Sequence, residues 1–153
     1  MLKEIVGKIW RKTPSFVRTT LVRSTQKKFT VSVGAIVVND NNEVLLLDHV
    51  LRPASGWGIP GGFIDANEQP IDAVRRELVE EINLEIENVE IFRIRTIGQH
   101  IEILFSAHAT ALGKVRSFEI KELRWFDYKD LPKQISSVHK QIINEVLSKS
   151  VKY

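Results

Sequence analysis

The chain contains no cysteine, so thiol nucleophiles, thiolate-ligated zinc and disulfides are excluded, and any chemistry must run on oxygen and nitrogen groups. Long apolar runs are missing too: none exceeds about five residues, against the roughly 20 needed to cross a bilayer. The N-terminus also lacks the unbroken apolar stretch of a signal peptide. A soluble, cytoplasmic protein is the expectation. Internal repeats and low-complexity segments are absent, and nothing marks a second domain in the body of the chain. With 43% hydrophobic and 27% charged residues among 153, the composition is that of one ordinary globular domain, which excludes disordered and collagen-like classes.

What is present is unevenly distributed. Residues 1–28 carry Lys3, Lys8, Arg11, Lys12, Arg18, Arg23, Lys27 and Lys28 against Glu4, a net of +7, so the overall +3 leaves the remainder at −4. A basic arm is thus joined to a mildly acidic body. Leu2, Ile5, Val6, Ile9 and Trp10 recur at helical spacing, so the plain reading of these bases is the wet side of an amphipathic helix pair. A homodimer contact, an anionic membrane surface and RNA or other nucleic acid stay open as partners of the arm.

Thr13-Pro14 predicts an N-cap and first position for a second helix over residues 14–24. The β-branched run 29–38, the turn residues Asp40-Asn41-Asn42 and the apolar run 44–47 predict a hairpin. Residues 49–58 read as loop, and 57–62 hold three Gly and one Pro in six positions, a place that needs bare backbone. Helical periodicity spans 70–82, with Ile71, Val74, Leu78 and Ile82 as its apolar stripe and Asn83 at the left-handed stop. Strands are predicted over 89–95, 101–109 and 123–126. A last helix over 136–149 is expected to bury Val138, Ile142, Val146 and Leu147.

On the 70–82 helix, Glu77, Glu80 and Glu81 fall within an arc of about 100° beside the apolar stripe. Like charges at that spacing cost a helix about 0.2–0.5 kcal/mol per pair, more as water is excluded. Arg76 reaches Glu80 at i,i+4, but one guanidinium cannot neutralise three acids. Hard divalent cations such as Mg²⁺ suit such oxygens, and the Gly-rich turn upstream can add a backbone carbonyl. The bland alternative is a solvated acidic face.

The surrounding spacing decides between them. Gly62, five residues, Glu68, seven residues, Arg76-Glu77-Leu78, one residue, Glu80-Glu81, one residue, Asn83-Leu84 resembles the Nudix box, G-x5-E-x7-R-E-U-x-E-E-x-G-U, with U a bulky apolar residue. Six of its seven fixed positions match, and at a usage of about 6–7% per position chance would give this on the order of once in a million chains of this length. Trp57-Gly58-Ile59-Pro60-Gly61-Gly62 and Arg124-Trp125-Phe126 also look like family landmarks, extending the resemblance over residues 29–132. Asn83 replaces the box's last Gly; as the next best residue for positive φ it implies an intact helix end.

The resemblance implies an α+β fold: a Nudix-type α/β/α sandwich with a mixed central sheet, here with an N-terminal helical extension at 1–28 and the hydrolase domain at 29–153. It implies Mg²⁺, or Mn²⁺, held by Glu77, Glu80 and Glu81, with Glu68 and the Gly61 carbonyl as auxiliaries. Arg76 would orient a glutamate. One more carboxylate is expected from a loop before the Trp strand, with Glu119 preferred over Glu122 by position. Glu77, Glu81 or Glu119 would take the proton from water. Arg52, Arg95 and His100 are the candidates for substrate phosphate or base. The implied reaction is attack of water on a nucleoside diphosphate linked to another group X. Gly61-Gly62-Phe63 leans the substrate toward nucleotide sugars such as ADP-ribose. The alternatives are (deoxy)nucleoside triphosphates, RNA 5′ ends, and a non-catalytic nucleotide- or RNA-binding module. Such a module would be expected to lose acids that this chain retains.

Overall fold

A computed structural model describes residues 1–51 and 56–150. Its elements in order are α1 (Leu2–Lys12), α2 (Ser15–Thr25), β1 (Thr30–Val38), β2 (Glu43–His49), β3 (Trp57–Gly58), α3 (Pro70–Ile82), β4 (Glu87–Ile97), β5 (His100–His108), β6 (Ile120–Asp127), a 3₁₀ turn at Tyr128–Asp130, and α4 (Ser137–Ser150). The sheet runs β3-β2-β1-β5-β4, with β6 also pairing β2. β1 and β5 are parallel, from Thr30 opposite His100 to Val38 opposite His108, while the other pairs are antiparallel. The α+β class and mixed sheet are as the resemblance implied.

β1 and β2 read as continuous apolar runs because both sheet faces are covered. Alternate residues Val33, Ala35, Val37, Leu45 and Leu47 face one core, shared with Val74, Leu78 and Ile82 of α3. Ile36, Val38, Val44 and Leu46 face the other, shared with Ile142, Ile143 and Val146 of α4. A period of two along each strand therefore feeds two helix layers.

Some local expectations change. Thr13 does not cap α2: its hydroxyl donates to the Ile9 carbonyl and closes α1, leaving Pro14 at the cap position of α2. Ile71 and Val138 sit in the first turns of α3 and α4, 37% and 42% exposed, while Ala73 and Ile143 are buried. Trp57-Gly58, expected to be irregular, pairs Asp48 and Leu47 as a short strand. Trp57 packs edge-on against Phe126 at 5.1 Å, and the Trp125 indole donates to the Leu112 carbonyl at 3.0 Å, so both act as packing residues.

Candidate active site

The segment after β3 lies along β1. The Pro60 and Gly62 carbonyls accept from Ala35 and Val33 at 3.0 and 2.9 Å, and Ile64 donates to the Val31 carbonyl at 3.1 Å. Between them Gly61 turns its N–H away, to Glu81 Oε2 at 3.3 Å. Both glycines are needed for space. Gly61 has φ +144°, and a Cβ there would lie 2.2 Å from the Val33 carbonyl oxygen. At Gly62 a Cβ would lie 2.3 Å from Glu77 Oε1.

Across this turn stands α3. It starts with Pro70 in its first turn, where no N–H is missed, and ends on Asn83 at φ 49°, ψ 46°. Asn83 N–H bonds the Val79 carbonyl, the 5→1 bond of a left-handed stop, and Leu84 N–H reaches the Leu78 carbonyl, with Leu84 buried behind it. The carbonyls of Glu81 and Ile82, which a helix end leaves without intrahelical donors, accept backbone N–H groups of Arg116, Ser117 and Lys114 at 2.9, 3.1 and 2.7 Å. The loop bearing Glu119 is thereby tied to the turn bearing Glu81. Val50 N–H adds a bond to the Glu119 carbonyl at 2.8 Å.

Arg76 organises the acids. Its Nε and Nη2 donate to the two Glu68 carboxylate oxygens at 2.8 and 3.0 Å, and Nη1 to Glu77 at 2.9 Å and Glu80 at 3.3 Å. Nη2 also donates to the Phe63 carbonyl at 3.1 Å. The Arg76 hydrogen bond, helped by the Asp65 N–H, holds the Glu68 carboxyl down at about 2. The same partner raises Arg76 further above its ordinary range, so it stays charged. Burial pushes Glu77 the other way, upward, with Arg76 only partly offsetting it. Glu81 is 7% exposed and lies outside the Arg76 cluster.

The result is a cleft of about 520 Å³ lined by Gly61, Gly62, Phe63, Arg76, Glu77, Glu80, Glu81 and Glu119, together with His49, Asp65 and Ser117. Glu68 buttresses it from behind Arg76. Glu122 instead pairs with Arg124 on β6. Arg95 pairs with Glu102 across β4 and β5. His100 bonds Thr30 and Ser32 hydroxyls at 2.8 and 2.9 Å and touches Phe63 edge-on, one ring away from the cleft. Arg52 lies outside the described residues. His49, Asp65 and Ser117 had no motif to mark them; the pairing of β2 with β3, the run of 60–64 along β1 and the tether to α3 bring them to the rim.

The donor set fits a hard divalent cation: all oxygen, several carboxylates around one guanidinium, and a backbone cradle that a single Cβ would fill. Among the described residues no three carboxylates or imidazoles converge on one point as they stand. Arg76 draws Glu68 and Glu77 to itself, while the Gly61 amide holds Glu81.

Known proteins share this fold. The NUDIX domain family model matches residues 28–146. The fold is similar to a MutT NUDIX hydrolase from Burkholderia pseudomallei, with TM-score 0.68 and 28% identity over 78% of this chain and 98% of that one. It is also similar to a NUDIX hydrolase from Nitrosomonas europaea, with TM-score 0.72 and 26% identity over 81% of this chain and 73% of that one. In sequence, 63 residues, 41% of the chain, are 43% identical to an RNA pyrophosphohydrolase of Pseudomonas putida and 38% identical to one of Ruthia magnifica. The chain spans only 38% and 34% of those two relatives. With the family model covering β1 through most of α4, the chain belongs to the NUDIX family of hydrolases.

Proposed function

We propose that this chain is a pyrophosphohydrolase that cleaves a phosphoanhydride bond in a nucleoside diphosphate linked to X, with Mg²⁺ or Mn²⁺ as cofactor. One observation carries the reading: an acid-lined cleft in which Arg76 orders Glu68, Glu77 and Glu80 while Glu81 is kept apart on the Gly61 amide. Glu77, Glu80 and Glu81 would hold the cation, with Glu68 and the Gly61 carbonyl as auxiliaries. When bound, a divalent ion supplies positive charge against the phosphate oxygens and acidifies water. Arg76 is engaged by acids of its own chain and so positions Glu77 rather than the substrate. Glu77, Glu81 or Glu119 accepts the proton of the attacking water, all three lining the same cleft. No nucleophilic side chain is required.

The same reading separates a basic helical extension, residues 1–28, from a hydrolase domain, residues 29–153; the lack of any buried residue in α1 and α2 supports it. Arg52, Arg95 and His100 stay as candidates for substrate phosphate or base, and His100 is brought near the cleft by Phe63. For the substrate, Gly61-Gly62-Phe63 leans toward nucleotide sugars such as ADP-ribose. A second reading, the 5′-polyphosphate end of RNA, is favoured by the relatives named RNA pyrophosphohydrolase.

The test is to incubate the full chain and Mg²⁺ with nucleotide sugars, dinucleotides, nucleoside triphosphates and 5′-triphosphorylated RNA. Phosphate is then read after alkaline phosphatase, which reports new monophosphates, or pyrophosphatase, which reports released pyrophosphate. Chelator-sensitive release from at least one class is expected. Release from none, with either metal, removes the catalytic reading.

A further inference from the structure

We propose that α1 is a peripheral anchor that lies on an anionic lipid bilayer. Leu2, Ile5, Val6, Ile9 and Trp10 occupy an arc of about 140°, and none is buried: exposure runs from 41% at Trp10, beside α2, to 76% at Leu2. Lys3 and Lys12 stand about 20° beyond the two margins of this stripe, with Lys8 and Arg11 on the far side. Among the described residues no salt bridge engages Lys3, Lys8 or Lys12. A stripe of this width with lysines at its edges suits the boundary between acyl chains and anionic headgroups: the apolar side sinks, and the lysine stems reach up to the phosphates. Trp10, at one margin, is the residue type that prefers that depth.

Length sets the mode. Eleven residues make a rod of about 16 Å, too short to span and suited to lying flat. Other occupants explain only part of the pattern. An RNA backbone would take the bases but leave the aliphatic stripe in water. A second α1 laid on the first would bury the stripe while setting one +7 arm against another. Of these three occupants, a negatively charged bilayer alone matches both the charge and the apolar stripe. This inference does not depend on the hydrolase reading.

Flotation of the full chain with phosphatidylcholine vesicles, with and without about 30 mol% phosphatidylglycerol, tests it. Binding is expected only to the anionic vesicles, weakening with salt. Ile5→Glu with Ile9→Glu should reduce binding at least 100-fold. Lys3→Gln with Lys12→Gln should reduce it about 25-fold, roughly fivefold for each base removed. All four side chains are exposed, so the thermal melt should not move. Equal binding to neutral vesicles overturns the proposal. So does absence of binding to the anionic vesicles: dimerisation abolished by the Ile pair would then put a second copy on the stripe, and RNA binding that needs the lysines and ignores the isoleucines would put a polyanion on the bases.

Discussion

Two adjacent glycines should fail in opposite ways. At Gly62, φ is not positive, and the three atoms nearest an added methyl all belong to the Glu77 carboxylate, Oε1 first at 2.3 Å. Restoring an ordinary contact moves that carboxylate by about 1 Å. A flexible side chain can do this for about 0.5–1.5 kcal/mol of rotamer strain, largely offset by the entropy an alanine removes from the unfolded chain. Gly62→Ala should therefore stay within about 1 kcal/mol of the parent, a Tm change of no more than about 4 °C. Turnover should nonetheless fall about 100-fold, the scale expected when a catalytic group is misplaced by that distance. At Gly61 the methyl meets the Val33 carbonyl oxygen at 2.2 Å and Gly34 Cα at 2.7 Å, both backbone inside the sheet, and φ +144° is itself unfavourable. Gly61→Ala should cost more than about 4 kcal/mol and lower Tm by about 10 °C or more. Thermal denaturation beside initial rates on the best substrate separates the two. Parent-like turnover in Gly62→Ala, or a parent-like melt in Gly61→Ala, refutes the account of this turn.

Glu81→Gln keeps the size and the Gly61 contact, so it should fold normally while losing at least about 100-fold in turnover; near-parent rates would remove Glu81 from the site. The Glu68 carboxyl is held at about 2 against an ordinary 4.5. Its pairing with Arg76 therefore stabilises the fold fully above about pH 4.5 and is lost as pH falls toward 2. In chelator, the Tm difference between parent and Glu68→Gln should be constant at neutral pH and vanish at that acid end; a difference that persists there contradicts the pairing. His100→Ala should raise KM by about tenfold with kcat little changed if the ring meets the nucleotide, and an unchanged KM leaves it a strut for Thr30 and Ser32. Asn83→Gly, in the left-handed position at φ 49°, should stabilise by up to about 1 kcal/mol without altering turnover, as a denaturant midpoint would show.

Much of this molecule was legible before folding because its signals are local. Pro70 and Asn83 bracket α3 to the residue, since ring geometry and positive φ act on single positions. Glu77, Glu80 and Glu81 share a helix face by spacing alone. Contacts that depend on distant chain were not legible. Nothing in residues 113–119 announces that three of their amides would close the end of α3, nor that His49 would reach the rim by way of β3. Ile71 and Val138 fit the helical period, but how much of a first turn the sheet covers is not a periodic property. The alternate burial of β1 and β2 was visible only as unbroken hydrophobicity, which does not say which residue faces which helix.

The tether between the segment 114–117 and the last carbonyls of α3 uses main-chain amides only. Almost any side chain can therefore occupy Lys114 or Arg116 without loosening it. A mutational scan should find those two positions permissive, so the wall of the cleft beside Glu119 can be redecorated for a new ligand while the spacing to Glu81 is inherited unchanged.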